Sequence, residues 1–137
     1  MHEVLYVYTD GGSRGNPGPG AIAVVILDEN KKVIAEHKEC IGKTTNNRAE
    51  YAAMVKAMEM TSRIGSKRLI CLSDSKLMVS HLNGDWKVRD DNLRPFFDYI
   101  KGVEKTFKKV AYRHIRRCSD QFAKRADELV NEALDSH

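Results

Sequence analysis

The spacing of hydrophobic and polar positions changes once along the chain, near residue 45. Before that point, residues 3–10 alternate, residues 21–28 form a nearly all-apolar run, and residues 32–42 are a third strand-like segment. Alternation indicates a strand, and a short continuous apolar run indicates a strand buried on both faces. The polar turn at 28–31 predicts that these strands form an antiparallel meander. Residues 11–20 are turn-forming throughout and predict a loop.

Beyond residue 45, helical and strand patterns alternate. A helix is predicted from Asn46 to Ile64, with Thr45 or Asn46 as its N-cap and Gly65 at its end. Strands are then predicted at 67–73 and 110–115, and helices at 75–82, 91–107 and 120–133. A meander followed by alternating helices and strands predicts an α/β fold, with helices packed on a mixed sheet.

Length and composition predict a single globular domain over residues 1–137. Apolar residues make up 42% of the chain and charged residues 31%, and no apolar run is long enough to span a membrane. The N-terminus lacks a signal-like core, and the three cysteines include no CxxC pair, so we expect a cytoplasmic protein. The net charge of +4 suits a polyanionic partner, and a monomer is the default expectation.

Four carboxylates occupy positions where the pattern favours apolar side chains. Asp10 ends the first strand on the face that carries Tyr6 and Tyr8, and Asp74 closes the fourth strand. Glu50 begins an apolar helical stripe, and Asp127 lies beside the stripe of the last helix. Two of these acids therefore lie at carboxyl ends of strands, where open α/β sheets bind ligands.

Acids in such places favour a divalent cation. Buried ionised carboxylates are costly unless they are paired or bound to a cation, and all-oxygen ligands favour Mg²⁺ or Mn²⁺ over zinc. Each acid also has an ordinary explanation: Asp10 could cap a turn, Glu50 could favour a helix N-terminus, Asp74 could be an N-cap, and Asp127 could be a solvated helix residue. Periodicity does not show that the four converge.

Four segments resemble the motifs of type 1 ribonuclease H, in order and across essentially the whole chain. They are Tyr-Thr-Asp-Gly-Gly-Ser-Arg-Gly-Asn-Pro-Gly-Pro-Gly at 8–20, Thr-Thr-Asn-Asn-Arg-Ala-Glu at 44–50, Ser-Asp-Ser at 73–75, and Arg-Ala-Asp-Glu-Leu at 125–129. The first two are long and specific. The short connection at 83–88 is similar to that of compact family members, which lack a basic protrusion.

The resemblance implies a ribonuclease H-like fold, a five-stranded mixed sheet whose first three strands are antiparallel. It implies endonucleolytic cleavage of the RNA strand of an RNA/DNA hybrid, leaving 5′-phosphate and 3′-hydroxyl ends. It further implies that Asp10, Glu50, Asp74 and Asp127 bind two metal ions, Mg²⁺ or alternatively Mn²⁺, in the catalytic site. No membrane and no obligate protein partner is inferred.

The resemblance also implies a set of substrate contacts. Asn16, Asn46, Asn47 and Ser75 would face the minor groove of the hybrid, and Thr45 would hold a phosphate of the DNA strand. The backbone of Gly11, Gly12 and Ser13 would approach the substrate closely, while Trp86 and Lys87 are candidate contacts from the short connection. Helix capping is the alternative for residues 45–47, and packing on the core edge is the alternative for Trp86.

Two departures from the family pattern concern the loop after the fifth strand and the missing protrusion. Many members carry a histidine in that loop, whereas residues 116–122 here contain none. Arg117 is the best match to the arginine of other compact members, and its role would be electrostatic. His114 lies within the strand pattern, where a structural role is more common. Hybrid affinity should be weaker or spread over the dispersed cations Lys56, Lys76, Lys87, Arg89 and Arg116.

Three other functions stay open at this point. One is a hybrid- or RNA-binding module without catalysis, which would have no use for clustered carboxylates. Another is a different nuclease of the same superfamily, which would not be expected to carry the Asn-Asn pair and the glycine-rich segment. The last is a fragment of a reverse transcriptase. A start at Met1 directly before the first strand favours a free-standing enzyme without a preceding hybrid-binding module.

Overall fold

The computed structural model describes residues 1–136 and contains one five-stranded mixed sheet. The strand order is β3-β2-β1-β4-β5, with β1, β2 and β3 antiparallel and β4 and β5 parallel to β1. The strands are β1 (His2–Ser13), β2 (Gly18–Leu27), β3 (Val33–Thr44), β4 (Ser66–Ser73) and β5 (Lys109–His114). This confirms the expected ribonuclease H-like architecture.

Four helices connect and cover the strands. They are α1 (Asn46–Ile64), α2 (Lys76–Leu82), α3 (Arg94–Glu104) and α4 (Gln121–Asp135). Side chains cap three of them in the expected way, because the oxygens of Thr45, Ser75 and Asp120 accept hydrogen bonds from backbone N–H groups of the first turn. Gly65 ends α1 with φ 87°, as its lack of a Cβ atom permits.

Two predicted segments have wrong boundaries. The segment 11–20 is not a loop throughout, because Gly11 to Ser13 pair with Gly20 to Ile22 and extend the first hairpin. The ladder of a neighbouring strand outweighs the low strand propensity of glycine here. The helix predicted at 91–107 is limited to Arg94–Glu104, because turns at both ends replace its first and last residues.

The sheet has a different layer on each face. On one face, α1 and its neighbours bury large side chains such as Tyr51, Met54 and Met58 against Leu5 and Val7. On the other face, α4 packs on β1, β2 and β3 through mostly smaller residues. No helix within residues 1–136 is long and apolar enough to cross a membrane.

Candidate active site

Sheet topology brings the first and third acids together. Since β1 and β4 are parallel neighbours, with Tyr8 opposite Leu72, their carboxyl ends lie side by side. Asp10 lies two residues beyond Tyr8, and Asp74 lies two residues beyond Leu72. Both carboxylates therefore reach the same edge of the sheet.

Helix α1 supplies Glu50 through an unusually close approach to β1. The backbone N–H of Gly11 donates a hydrogen bond to Glu50 Oε1 at 3.0 Å. A Cβ atom at Gly11 would lie 2.3 Å from the carbonyl oxygen of Ala49, so a larger residue would push the helix away. Glycine at this position thus sets the distance between Glu50 and Asp10.

Asp10, Glu50 and Asp74 form a compact carboxylate cluster. Each offers an oxygen, and the three oxygens lie within 4.8 Å of one another. Asp127 is not part of this cluster, but it lines the same hollow of about 300 Å³. The four acids singled out by the sequence therefore converge, three at ligand-sharing distance and the fourth on the adjacent wall.

Mutual repulsion and burial perturb these carboxylates. Burial, followed by the charges of Asp74 and Asp127, raises the pKa of Asp10 to about 7. Burial and the charges of Asp10 and Asp74 raise the pKa of Glu50 well above its ordinary value. In the metal-free protein the ionised cluster is therefore unfavourable, and a divalent cation would offset the repulsion. An all-oxygen donor set fits a hard cation of the Mg²⁺ type.

The ordinary explanations of Asp74, Glu50 and Asp127 do not match their observed places. Asp74 is not the N-cap of α2, because Ser75 fills that position and accepts a hydrogen bond from Met78 N at 3.2 Å. Glu50 lies beyond the first turn of α1, which contains no acidic residue. Asp127 is not simply solvated, since it is only 24% exposed and its Oδ1 accepts a hydrogen bond from Arg117 at 3.0 Å.

Arg117 and His114 contact different acidic residues of the site. The guanidinium of Arg117 is 72% exposed, lines the hollow and pairs with Asp127. Its charge also lowers the pKa of Asp10, although less strongly than burial and the other acids raise it. His114 Nε2 lies 3.3 Å from the backbone carbonyl oxygen of Asp74, at the end of β5. Arg117 is thus the cationic side chain that this loop directs into the hollow.

A hydrogen-bonded network joins the glycine-rich segment to the start of α1. Asn46 Oδ1 accepts hydrogen bonds from Ser13 N at 3.0 Å and from Ser13 Oγ at 3.1 Å, while Asn46 N donates to Asn16 Oδ1 at 2.9 Å. Gly11, Gly12 and Ser13 line the hollow together with Asn46. Because Thr45 is the N-cap, Asn46 ties the two segments together instead of capping the helix.

Beyond Asn46, a larger groove opens between the start of α1 and the connection from α2 to α3. Its volume is about 690 Å³, and Trp86 on its wall is 46% exposed. Trp86 therefore is not a buried core residue, and Lys76 Nζ lies 6.0 Å from the centre of its ring. The groove is lined by Asn47, Leu77, His81, Asp85, Trp86, Lys87, Arg89, Asp90 and Leu93.

Several residues that support the site were not predicted from the sequence. Tyr8 donates a hydrogen bond to Asp120 Oδ2 at 2.7 Å, linking the strand of Asp10 to the N-cap of the helix that holds Asp127. His81 lines the groove, and its Nδ1 lies 2.6 Å from the hydroxyl of the buried Tyr51. Asn131 lies one turn after Asp127, lines the hollow and contacts that carboxylate at 3.4 Å. Only this last neighbour could have been found from helical spacing.

Comparisons with known proteins agree with this geometry. A family model described as reverse transcriptase-like matches residues 8–133. The Bifunctional protein Rv2228c of Mycobacterium tuberculosis is 36% identical over 133 residues, which cover 96% of this chain and 36% of that protein. The chain thus spans about a third of the length of this curated relative.

Two solved structures match over nearly their full length. The RNase H1 of the halophilic archaeon Halobacterium salinarum NRC-1 superposes with a TM-score of 0.91 at 35% identity, covering 98% of this chain and 99% of that one. LC11-RNase H1, solved in complex with an RNA/DNA hybrid, superposes with a TM-score of 0.89 at 39% identity, covering 96% and 97%. With the motifs, the fold and the carboxylate cluster all in agreement, this chain belongs to the ribonuclease H1 family.

Proposed function

We propose that the protein is a metal-dependent endoribonuclease that cleaves the RNA strand of RNA/DNA hybrids, leaving 5′-phosphate and 3′-hydroxyl ends. The observation that carries the proposal is the cluster formed by Asp10, Glu50 and Asp74, whose oxygens lie within 4.8 Å of one another. It lies at the edge of a sheet that superposes on LC11-RNase H1, which was solved with a hybrid bound. A module that only binds hybrids would carry the electrostatic penalty of this cluster without any benefit.

The carboxylates are proposed to hold Mg²⁺, or alternatively Mn²⁺. The raised pKa values of Asp10 and Glu50 support this assignment, because they indicate concentrated negative charge with too few compensating groups. Asp127 would complete the ligand set from α4. Two bound ions would activate the attacking water and stabilise the departing 3′ oxygen.

The protein's own groups have positioning roles in this proposal. Gly11 N–H fixes Glu50 through a 3.0 Å hydrogen bond, and Arg117 holds Asp127 while placing a positive charge beside the hollow. Arg117 stays protonated at neutral pH, so it would attract a phosphate rather than transfer a proton. His114 is proposed to be structural, since it lies against the carbonyl oxygen of Asp74.

Substrate selection is assigned to the rim. Asn16, Asn46 and Ser13 form a linked polar surface next to Gly11 and Gly12, so their backbone and amide groups would meet the minor groove, where the 2′-hydroxyl distinguishes RNA from DNA. Thr45, at the N-terminus of α1, would hold a DNA phosphate. The other proposed contacts lie around the groove or next to Asp74: Asn47, Ser75, Trp86 and Lys87.

A cleavage assay tests the proposed function. The purified chain is incubated with an RNA/DNA hybrid, single-stranded RNA or a DNA duplex, each with Mg²⁺, with Mn²⁺ or with a chelator. We expect cleavage of the RNA strand of the hybrid only, loss of cleavage with the chelator, and 5′-phosphate ends on the products. Sedimentation of the same sample tests the expectation that the chain is a monomer.

Three results would contradict the proposal. Equal cleavage of single-stranded RNA or of DNA duplex would reject the substrate. Hybrid binding without cleavage under every metal condition would favour a binding module. Cleavage that continues in the chelator would remove the metal ions from the proposed reaction.

A further inference from the structure

Helix α4 leaves part of the sheet uncovered. It packs on β1, β2 and β3, whereas β4 and the edge strand β5 extend beyond these contacts on the same face. The parallel register pairs Arg68 with Lys109 and Ile70 with Ala111. Ile70 and Ala111 are only partly buried, although parallel strands such as β4 and β5 are usually covered on both faces.

Cations surround the apolar centre of this uncovered area. We call it the basic sheet face and define it by Arg68, Ile70, Lys109, Ala111 and Arg113, which line a shallow hollow of about 100 Å³. Arg68, Lys109 and Arg113 are exposed. Within residues 1–136 none of the three forms an ion pair, so their charge is uncompensated by the protein.

Neighbouring acidic residues do not neutralise the charge of the basic sheet face. The hollow next to it is lined by one acid, Glu3, together with Lys67, Arg68, Lys108 and Lys109. Glu3 is bound by Lys67 at 3.1 Å, and thus its charge is already compensated. A further lysine, Lys31, lies over the ring of Tyr6 at 4.9 Å on the neighbouring strand. The area therefore favours a polyanion.

The basic sheet face and Asp74 lie on the same face of the sheet. Arg68, Ile70 and Leu72 alternate along β4 toward Asp74, and a strand rises about 3.3 Å per residue, which places Arg68 about 20 Å from that acid. At the catalytic end of this path, next to Asp74, the β5–α4 loop carries the exposed residues Arg116 and Arg117. A strand of nucleic acid that left the hollow over this loop would pass from these arginines to Arg113 and then to Lys109 and Arg68.

We propose that the basic sheet face binds a single-stranded continuation of the hybrid, beyond the paired region held at the catalytic edge. A single strand fits better than a duplex, because its unpaired bases can lie on the apolar centre while its phosphates meet the cations. A duplex offers only its charged backbone to such a surface. Because the strand is an extension of the hybrid, this proposal rests on the proposed function.

Hybrids with single-stranded extensions test the proposal. A blunt hybrid is compared with four hybrids that carry one extension of about 12 nucleotides, on either end of either strand. Binding is measured by fluorescence anisotropy with Ca²⁺ in place of Mg²⁺ to prevent turnover. For the wild-type chain, at least one extension should lower Kd by about tenfold near 0.1 M salt, as expected for roughly two phosphate contacts.

In the double variant Arg68→Ser/Arg113→Ser, the extension should no longer lower Kd, while the blunt hybrid is bound and cleaved as by the wild type. Its matched control is Arg63→Ser/Lys105→Ser, which removes the same charge from exposed positions outside the basic sheet face and should keep the gain. The salt slope for the favourable extension should fall by about 1.4 in the first variant only.

Several outcomes would overturn the proposal. One is that none of the four extensions lowers Kd, and another is that both double variants lose affinity for the extended hybrid equally. A third is that poly-glutamate competes for binding while the extensions have no effect, which would indicate an acidic protein partner. Self-association that disappears in Arg68→Ser/Arg113→Ser would instead identify a second copy as the occupant. Failure to cleave the blunt hybrid would refute the proposed function, whereas intact cleavage without any gain would refute this proposal alone.

Discussion

Consecutive residues at the start of α1, Asn46 and Asn47, line two cavities of opposite character. The hollow beside Asn46 is small and holds four carboxylates, of which Asp10 has a pKa raised to about 7. The groove beside Asn47 is more than twice as large, and it mixes apolar side chains such as Trp86 with charges of both signs. The hollow is unfavourable when empty of cations, whereas the groove needs no such compensation.

This difference indicates that the hollow and the groove have separate roles, in catalysis and in binding. Concentrated like charge is of use where cations and a scissile phosphate must meet, and a wide groove with an exposed aromatic side chain is of use for holding a long ligand. Variants of the hollow should therefore change turnover, while variants of the groove should change affinity. The predictions below for kcat, KM and Kd test that separation.

The largest effect is expected from Asp10→Asn. Removal of one charged ligand should lower kcat for hybrid cleavage by at least about a thousandfold, equivalent to about 4 kcal/mol of transition-state stabilisation. Hybrid binding, measured by anisotropy, should stay within about threefold of wild type. The matched control is Asp98→Asn, an exposed aspartate on α3 that should leave kcat unchanged. A variant Asp10→Asn with substantial turnover would exclude Asp10 from the metal site.

The same substitution should stabilise the metal-free protein. Burial and the neighbouring acids raise the pKa of Asp10 from 3.8 to about 7 on folding, so the folded chain takes up a proton at pH values between the two. Stability of the wild type therefore falls as pH rises from about 4 to 7, and the neutral Asn avoids this loss. In a chelator at pH 8 we expect the free energy of unfolding to rise by on the order of 2 kcal/mol, and at pH 4 by almost nothing.

Thermal and urea unfolding at the two pH values check this stability prediction. At pH 8, Mg²⁺ should reduce the difference in the free energy of unfolding between Asp10→Asn and the wild type, because the cation stabilises only the wild-type cluster effectively. A gain of equal size at pH 4 and pH 8 would contradict the electrostatic origin, since protonated Asp10 carries no charge to remove.

The sequence predicted the elements well but not the cavities. Periodicity fixed α1 from Asn46 to Ile64 because apolar residues repeat every three to four positions along it. Periodicity did not predict the strand pairing of Gly11 to Ser13, because the partner strand and not local propensity holds those residues extended. Convergence of the acids was implied by family resemblance alone, because the spacing along one chain does not give the distance between β1 and β4.

The residues of the groove were also difficult to predict from the sequence. From the sequence, Trp86 was equally compatible with core packing and with substrate contact, and its exposure in the folded chain argues against core packing. The contact of Tyr51 with His81 joins residues 30 positions apart, and that of Tyr8 with Asp120 joins residues 112 apart. No local pattern encodes such pairs, so the supports of both cavities became visible only in the folded chain.

A smaller effect is expected from Trp86→Ala in the groove. Loss of an exposed aromatic contact should raise KM or Kd for the hybrid by about tenfold, in the range of one base-stacking or sugar contact, and leave kcat within about twofold. Tyr99→Ala is the matched control, because Tyr99 on α3 is 44% exposed and Trp86 46%. If Trp86→Ala instead lowered kcat with KM unchanged, the two cavities would not act separately.

The smallest effect is expected from Arg117, which lies where the hollow meets solvent. Its ion pair with Asp127 is largely exposed on the arginine side, so it contributes at most about 1 kcal/mol to stability. Arg117→Ala should therefore leave Tm nearly unchanged and lower kcat by about fivefold through the lost positive charge. Arg117→Lys should recover part of this loss, and Cys118→Ala should have little effect. Equal kcat values for Arg117→Ala and Cys118→Ala would show that the charge of Arg117 takes no part in turnover, and would limit the role of this side chain to its contact with Asp127.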